Sequence, residues 1–165
     1  HAADSDGVVI GVAHYFEFDF LKALYGFFNK YLMNREIGFG RKVLTILEEE
    51  GIGYEHMPTG IDSLCVMVKA QFMPAVVEKR VVARIRKELN PDCVTVVHDL
   101  DVVMIVGEGT RYAVGMLEKV SGALARAGVS VMMFNQGASE VSSMAAVRTQ
   151  DREKAVRAIY QTFFN

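Results

Sequence analysis

The sequence predicts an α+β protein made of two copies of one β-α-β-β-α-β unit, with the first copy inserted into the second. The order strand, helix, strand, strand, helix occurs twice, at a spacing of roughly 75 residues, which indicates an internal repeat. The second copy lacks its final strand, and an apolar strand pattern at 7–14 is left over before the first copy. Giving that strand to the second copy closes a sheet edge that would otherwise invite aggregation.

The repeated unit is the split βαβ arrangement of ferredoxin-like folds. The predicted domains are therefore 15–99, and 7–14 together with 100–165.

In the second copy, an apolar run closed by glycines (101–109) predicts a buried strand. Apolar residues at helical spacing from Arg111 to Ala127, followed by Gly128, predict a helix. The remaining elements are predicted as strands at 129–136 and 140–149 and a helix at 151–164 that Asp151 caps.

In the first copy, a helix is predicted over 38–51, and Pro74 opens a second one over 75–90. Strands are predicted at 52–57, 62–70 and 93–99. The segment Tyr15–Asn34 fits both a strand and a helix, and we favour a strand in its second half.

Composition excludes several classes of protein. With 18 basic and 20 acidic residues the net charge is −2, so no basic field recruits nucleic acid or an anionic membrane surface. No apolar run is long enough to span a bilayer. The 51% hydrophobic content indicates that part of the apolar surface lies in an interface between protomers.

The two cysteines indicate neither a disulfide framework nor a metal site. Cys65 and Cys93 each lie in an apolar run, which predicts small buried thiols, and the four histidines are scattered. We therefore expect no metal, and a reducing cytoplasm as the compartment.

Three motifs in fixed order resemble a known family: NREIGF (34–39), YEHMPTGID (54–62) and NQGASE (135–140). Residues 30–165 resemble the tandem regulatory ACT domains of bacterial aspartate kinases nearly continuously. The resemblance implies the same inserted arrangement. The family's kinase domain, with its Lys-Phe-Gly-Gly motif, is absent, so we expect a carboxy-terminal portion of a longer protein. The stretch from Gly11 to Met33 departs from the family by being longer and richer in Phe.

The residues around Gly38 and Gly40 indicate a carboxylate site, because a helix begins there and the free N–H groups of a helix start attract anions. An amino acid's α-carboxylate fits such a site. The alternative is that the glycines only allow a tight turn into the helix.

The resemblance implies that Glu55 contacts the side-chain ammonium of a bound lysine; the alternative is a solvated charge at a strand edge. Asp62 is either a second acid for that ammonium or a turn residue. It places the pocket between two copies of the first domain. Met33 and Phe39 either line the ligand or are ordinary core residues. The full set of effector-binding candidates is Met33, Glu36, Gly38, Phe39, Gly40, Tyr54, Glu55, Thr59, Gly60, Ile61 and Asp62.

A possible second site repeats this geometry in the second copy. Its candidates are Gly107, Gly109, Asn135 and Gln136, although the two amides could instead bridge the domains. His56 is interpreted as a structural histidine rather than a titrating switch.

The resemblance implies an allosteric region through which lysine and/or threonine gives feedback control of aspartate phosphorylation, the entry to lysine and threonine biosynthesis. We expect no catalytic residue and no cofactor in this chain. ATP and magnesium would belong to the missing kinase domain of the parent enzyme, a phosphotransferase. The expected partners are the effector, a second copy in a homodimer, and that kinase domain.

Two other hypotheses remain. One is a free-standing ACT-type sensor or dimerisation subunit that acts on a partner enzyme in trans. The other is an acylphosphatase-like enzyme on the same fold, for which Arg111 and Asn135 offer the required residue types.

Overall fold

The structure, a computed structural model, describes residues 2–3, 8–12, 23–24, 33, 36–107, 113–137 and 142–164, with side chains from Met33 onward. The chain divides into two compact units. The outer unit is His1–Phe18 with Leu100–Asn165, and the inserted unit is Asp19–Asp99. The predicted boundary between residues 14 and 15 lies outside the described residues, so it stays a prediction.

The outer unit contains a five-stranded antiparallel sheet with two helices. Its strands, in the spatial order β1-β2-β5-β7-β6, are β1 (Ala2–Ala3), β2 (Val8–Val12), β5 (Leu100–Gly107), β7 (Ser142–Arg148) and β6 (Val131–Gln136). The apolar strand that precedes the first copy thus pairs with β5, as Val8 faces Gly107 and Val12 faces Val103. The short strand β1 was not predicted, because two alanines carry no alternation signal.

Helices α3 (Met116–Arg126) and α4 (Arg152–Phe164) cover one face of this sheet. Their buried side chains pack with alternate residues of β5 and β7, among them Val103 and Val147. Helices on one face of an antiparallel sheet give the α+β architecture, so that predicted class is confirmed.

The inserted unit contains helices α1 (Phe39–Glu49) and α2 (Ala75–Leu89). Its described strands are the two-residue pair β3 (Ala23–Leu24) and β4 (Val66–Met67). The core joins both helices to residues around β4 through Val43, Leu47, Val66, Val81 and Ile85. Burying each such side chain stabilises the fold by about 1.5–3 kcal/mol.

The predicted strands at 52–57 and 62–70 are wrong as continuous strands. These residues form a short hairpin with isolated bridges at His56–Met67 and Thr59–Leu64, and only Val66–Met67 forms a ladder. Pro58 directly follows the first of these two segments and limits its pairing, because proline has no backbone N–H to donate to a ladder. This hairpin, residues 55–67, matters for the site.

The predicted strand at 93–99 forms no ladder either: Cys93 has a single bridge, and residues 94–98 have none. Val94 and Val96 nevertheless pack against the core, which reproduces the inward alternation of a strand. The same alternation turns Cys93 outward, so the prediction of a buried thiol there is wrong. Cys65 is half-buried, and burial raises the pKa of its thiol to about 11. The strand favoured within Tyr15–Asn34 lies outside the described residues, apart from Ala23–Leu24 and Met33.

The internal repeat is visible residue by residue at a spacing of 77 positions, from Gly38 to Gly115. Each of these glycines caps an eleven-residue helix. Each helix is followed by a left-handed glycine, Gly51 (φ 71°) or Gly128 (φ 64°). The next residue's N–H donates back into the helix, at 2.8 Å in the inserted unit and 2.9 Å in the outer unit. The two copies therefore begin and end their first helix by the same local device.

Candidate functional site

Helix α1 begins without a side chain that accepts hydrogen bonds from its first backbone N–H groups. Gly38 is the N-cap with left-handed dihedrals (φ 79°, ψ 15°), no side chain caps the helix, and its first turn holds no acidic residue. The Phe39 N–H donates to the Glu36 carbonyl at 3.3 Å. The N–H groups of Gly40 and Arg41 have no intrahelical acceptor, because they belong to the first turn. Within the described residues, this start is thus open to an anion.

Two positively charged side chains in the same turn also favour the binding of an anion. Arg41 and Lys42 lie in the first turn, where the helix dipole disfavours cations. Lys42 is compensated, because its Nζ lies 2.6 Å from Glu36 Oε1. Arg41 is exposed, and no described residue forms an ion pair with it. Its Nε lies 3.7 Å from where a Cβ on Gly38 would be, so the side chain folds back beside the helix start.

Gly40 brings the helix start and the hairpin together. A Cβ built on Gly40 would lie 3.8 Å from Leu64 Cδ1, an ordinary contact, and its φ is not left-handed. Leu64 is buried at 3% exposure and bridges Thr59 across the hairpin. Neither backbone conformation nor packing within the described residues therefore requires glycine at position 40.

The hairpin tip presents exposed polar and apolar groups beside that start. Thr59, Gly60, Ile61 and Asp62 are all exposed, with Ile61 at 74%. The Gly60 N–H donates to the Ser63 carbonyl at 2.7 Å, which closes the turn. These four candidates are thus accessible to a ligand, and Gly60 also has a structural reason, since a Cβ there would lie 2.5 Å from Ser63 Oγ.

Glu55 lies at the other end of the hairpin. Its Oε1 is 3.3 Å from Lys69 Nζ, and the side chains of Glu55 and Lys69 are 32% and 28% exposed. Four residues of extended chain separate it from Thr59, about 13 Å at the usual rise per residue. Tyr54, the neighbouring candidate, is 48% exposed. Within one unit, Glu55 and the helix start are therefore at opposite ends of the hairpin.

Met33 and Phe39 are buried, at 7% and 3% exposure, in the core of the inserted unit. Glu36 forms the ion pair with Lys42 described above. Sequence reasoning missed Ile37, which is 97% exposed beside Gly38, and it missed Arg41. A cation in the first turn of a predicted helix was the available signal, because acidic residues are the rule there.

His56 is partly buried, and desolvation lowers the pKa of its imidazole. Its Nε2 is buried and has no hydrogen-bond partner within the described part of the chain. Burial disfavours the charged imidazole. A satisfied structural histidine would have its ring nitrogens hydrogen-bonded, and Nε2 is not within the described residues, so that interpretation stays a prediction.

The second candidate site is only partly described. Gly107 ends β5, and Asn135 and Gln136 end β6, at the same end of the sheet with β7 between them. Asn135 is half-buried and Gln136 is exposed. Gly109, and Arg111 of the acylphosphatase hypothesis, lie outside the described residues.

The helices and the titratable side chains of the described residues limit what this part of the chain can bind or cross. None of their helices is long and apolar enough to cross a membrane. They also hold no group of three or more His, Cys, Asp or Glu side chains that could bind a metal ion.

The chain is similar to regulatory regions of aspartate kinases in both sequence and fold. A family model for the ACT domain matches residues 103–163. Aspartokinase 3 of Bacillus subtilis (strain 168) is 44% identical over 161 residues, which is 98% of this chain and 34% of that protein. The crystal structure of Clostridium acetobutylicum aspartate kinase superposes with a TM-score of 0.79 at 35% identity, over 88% of this chain and 32% of that one.

A second similar structure is the regulatory subunit of aspartate kinase from Thermus flavus, with a TM-score of 0.71 at 22% identity. The match covers 95% of this chain and 97% of that one, and at this identity it shows the fold alone. This chain spans about a third or less of the length of the curated relatives it matches.

The outer unit, an antiparallel sheet covered by two helices, contains the residues that this family model matches and is therefore an ACT domain. The chain belongs to the ACT-domain regulatory regions of the aspartate kinase family. The resemblance stated from the three sequence motifs and the ferredoxin-like fold class are thereby confirmed.

Proposed function

We propose that this chain is an allosteric region that binds a free amino acid and thereby controls an aspartate kinase domain. The observation that carries the proposal is the start of α1, where no side chain caps the helix and Arg41, which forms no ion pair with any described residue, folds back beside the first turn. A carboxylate bound there would satisfy the amides, the helix dipole and the guanidinium together. Every free amino acid carries that carboxylate, so the side chain must decide which effector binds.

The proposed effector is lysine, threonine or both. An exposed hairpin tip with a hydroxyl and a carboxylate, Thr59 and Asp62, suits polar side chains beside the helix start. Glu55 suits an ammonium group, but it lies at the far end of the hairpin in its own unit. We therefore propose that a second copy of the inserted unit completes the site, so that a homodimer and not a monomer is the binding species.

Control would act on ATP-dependent phosphorylation of the aspartate side-chain carboxylate. That chemistry, with its ATP and magnesium, would belong to the kinase domain of the parent enzyme. An effector couples to it only if it binds two kinase states unequally, typically by 1–3 kcal/mol. The compartment proposed for this system is the cytoplasm.

The test is a thermal-shift screen of the chain against the twenty proteinogenic amino acids. An effector at 100 times its dissociation constant adds about 2.7 kcal/mol to folding stability. We expect lysine and threonine to raise the melting temperature and Arg41→Gln to weaken both about tenfold or more, because it removes a charge-assisted hydrogen bond. The matched control is Arg86→Gln, an exposed arginine on α2. If no amino acid stabilises the wild-type chain, the proposal is wrong.

A second candidate is a regulatory subunit that acts in trans. It is favoured by the near-complete coverage, 97%, of the Thermus flavus regulatory subunit. Sedimentation of this chain with a separately produced aspartate kinase catalytic domain tests it. Comigration that depends on effector supports a trans-acting subunit, and independent migration rules it out.

A further inference from the structure

Glu55 already has a cationic partner before any effector arrives. Lys69 Nζ lies 3.3 Å from Glu55 Oε1, across the hairpin. The hairpin fixes this pair, because the Glu55 N–H donates to the Met67 carbonyl at 2.8 Å and so sets the two residues on facing segments. The carboxylate that suits an effector's ammonium is thus occupied by an ammonium of the protein itself.

We infer that Lys69 is a specificity-determining residue, which competes with a cationic effector side chain for Glu55. This inference rests on the proposed function, since it assigns a role at the same site. When lysine binds, its ammonium must displace Lys69 or share one carboxylate with it. Threonine makes no such demand. Lys69 therefore lowers the affinity for lysine while leaving that for threonine unchanged.

The expected size follows from the exposure of the pair. Both side chains are about one-third exposed, so the ion pair is screened by solvent and resembles a surface pair. Breaking such a pair changes an equilibrium about 1.5- to 5-fold. Lys69→Met, which keeps the aliphatic stem and removes the charge, should tighten lysine binding by that factor.

The experiment is isothermal titration of wild type and variants with L-lysine, L-threonine and 6-hydroxy-L-norleucine. The last ligand has the shape of lysine with a neutral hydroxyl in place of the ammonium. Lys69→Met should raise the ratio of lysine affinity to hydroxynorleucine affinity, and Lys69→Arg should restore the wild-type ratio. Added salt should reduce the difference between wild type and Lys69→Met, because it screens the resident pair.

Two further variants make the outcome decisive. In a Glu55→Gln background, Lys69→Met should no longer change the ratio, because the contested carboxylate is gone. Lys79→Met, which removes an exposed charge of the same kind on α2, should leave the ratio at its wild-type value. An unchanged ratio in Lys69→Met, with all three ligands still binding, overturns this inference and leaves the proposed function standing. Absence of binding by any amino acid overturns the proposed function instead.

Discussion

Gly38 and Gly115 occupy equivalent places in the two units, and both have left-handed backbone, with φ of 79° and 85°. Each begins an eleven-residue helix without a side-chain cap. No Cβ contact closer than 3.7 Å would arise at either position, so the dihedral alone demands glycine there.

Replacing either glycine by alanine should therefore destabilise the fold through the backbone. We expect Gly38→Ala and Gly115→Ala each to lower the free energy of unfolding by about 1–2 kcal/mol, the cost of a left-handed L-residue. Urea denaturation measures it. Gly53→Ala is the control, since no atom of the described residues lies within 4 Å of its Cβ position and its φ is not left-handed, so it should change stability by less than about 0.5 kcal/mol. Equal losses in all three variants would contradict the argument.

Gly40→Ala should separate stability from binding. Position 40 is helical and a methyl group meets only ordinary contact with Leu64, so alanine should stabilise the chain by about 0.4–1 kcal/mol. In the proposed function a carboxylate binds at this same turn, so we expect the added methyl group to weaken lysine and threonine binding, measured by calorimetry. A stabilised variant with wild-type affinity would remove the start of α1 from the effector site.

Stability in acid should depend on Glu50. Hydrogen bonds from Arg80, and then from Arg84, hold the pKa of this carboxyl below its usual value of 4.5. Its stabilising contribution is therefore full above the unfolded pKa and is lost as the pH falls through the folded pKa. Wild type should melt higher than Glu50→Gln at neutral pH, and the two melting temperatures should converge in acid. Glu48→Gln, an exposed change on the same helix, should not show this convergence.

The two thiols should differ sharply in reactivity. Cys93 is exposed, whereas burial raises the pKa of Cys65 to about 11, which leaves little of the nucleophilic thiolate near pH 8. An aromatic disulfide reagent should modify Cys93 rapidly and Cys65 slowly, and the rate at Cys65 should rise as the pH approaches about 11. Cys93→Ser should abolish the fast phase, and urea should make Cys65 fast. A fast phase that survives in Cys93→Ser would show that Cys65 is accessible.

The helices were predictable because their signals are local. Apolar spacing, Pro74 before α2 and the glycine after α1 placed α1, α2 and α4 to within two residues of their ends. The predicted start at Arg111 was wrong for α3, which begins five residues later at Met116, because the exposed Val114 was taken for part of its apolar face. Strands in the inserted unit were less predictable, because a ladder depends on a partner elsewhere in the chain. The alternation around Val94 and Val96 reported burial correctly but could not report hydrogen bonding.

In the candidate site too, local signals were predictable from the sequence, whereas tertiary contacts were not. The sequence indicated a glycine-flanked helix start and an acidic segment beyond it, and it left open whether Met33 and Phe39 line a ligand or form the core. The structure buries both in the core of the inserted unit. The role of the other effector candidates stays a prediction.

The sequence by itself determined the two-copy α+β plan and the family, because periodicity, helix stops and ordered motifs are properties of neighbouring residues. Only the tertiary structure decided which distant groups meet. It pairs Lys69 with Glu55 in an ion pair and places Leu64 beside Gly40. It also leaves Arg41 without an ion-pair partner among the described residues. Such pairings follow from hairpin register and helix packing, which depend on the whole fold and are not written in any local pattern.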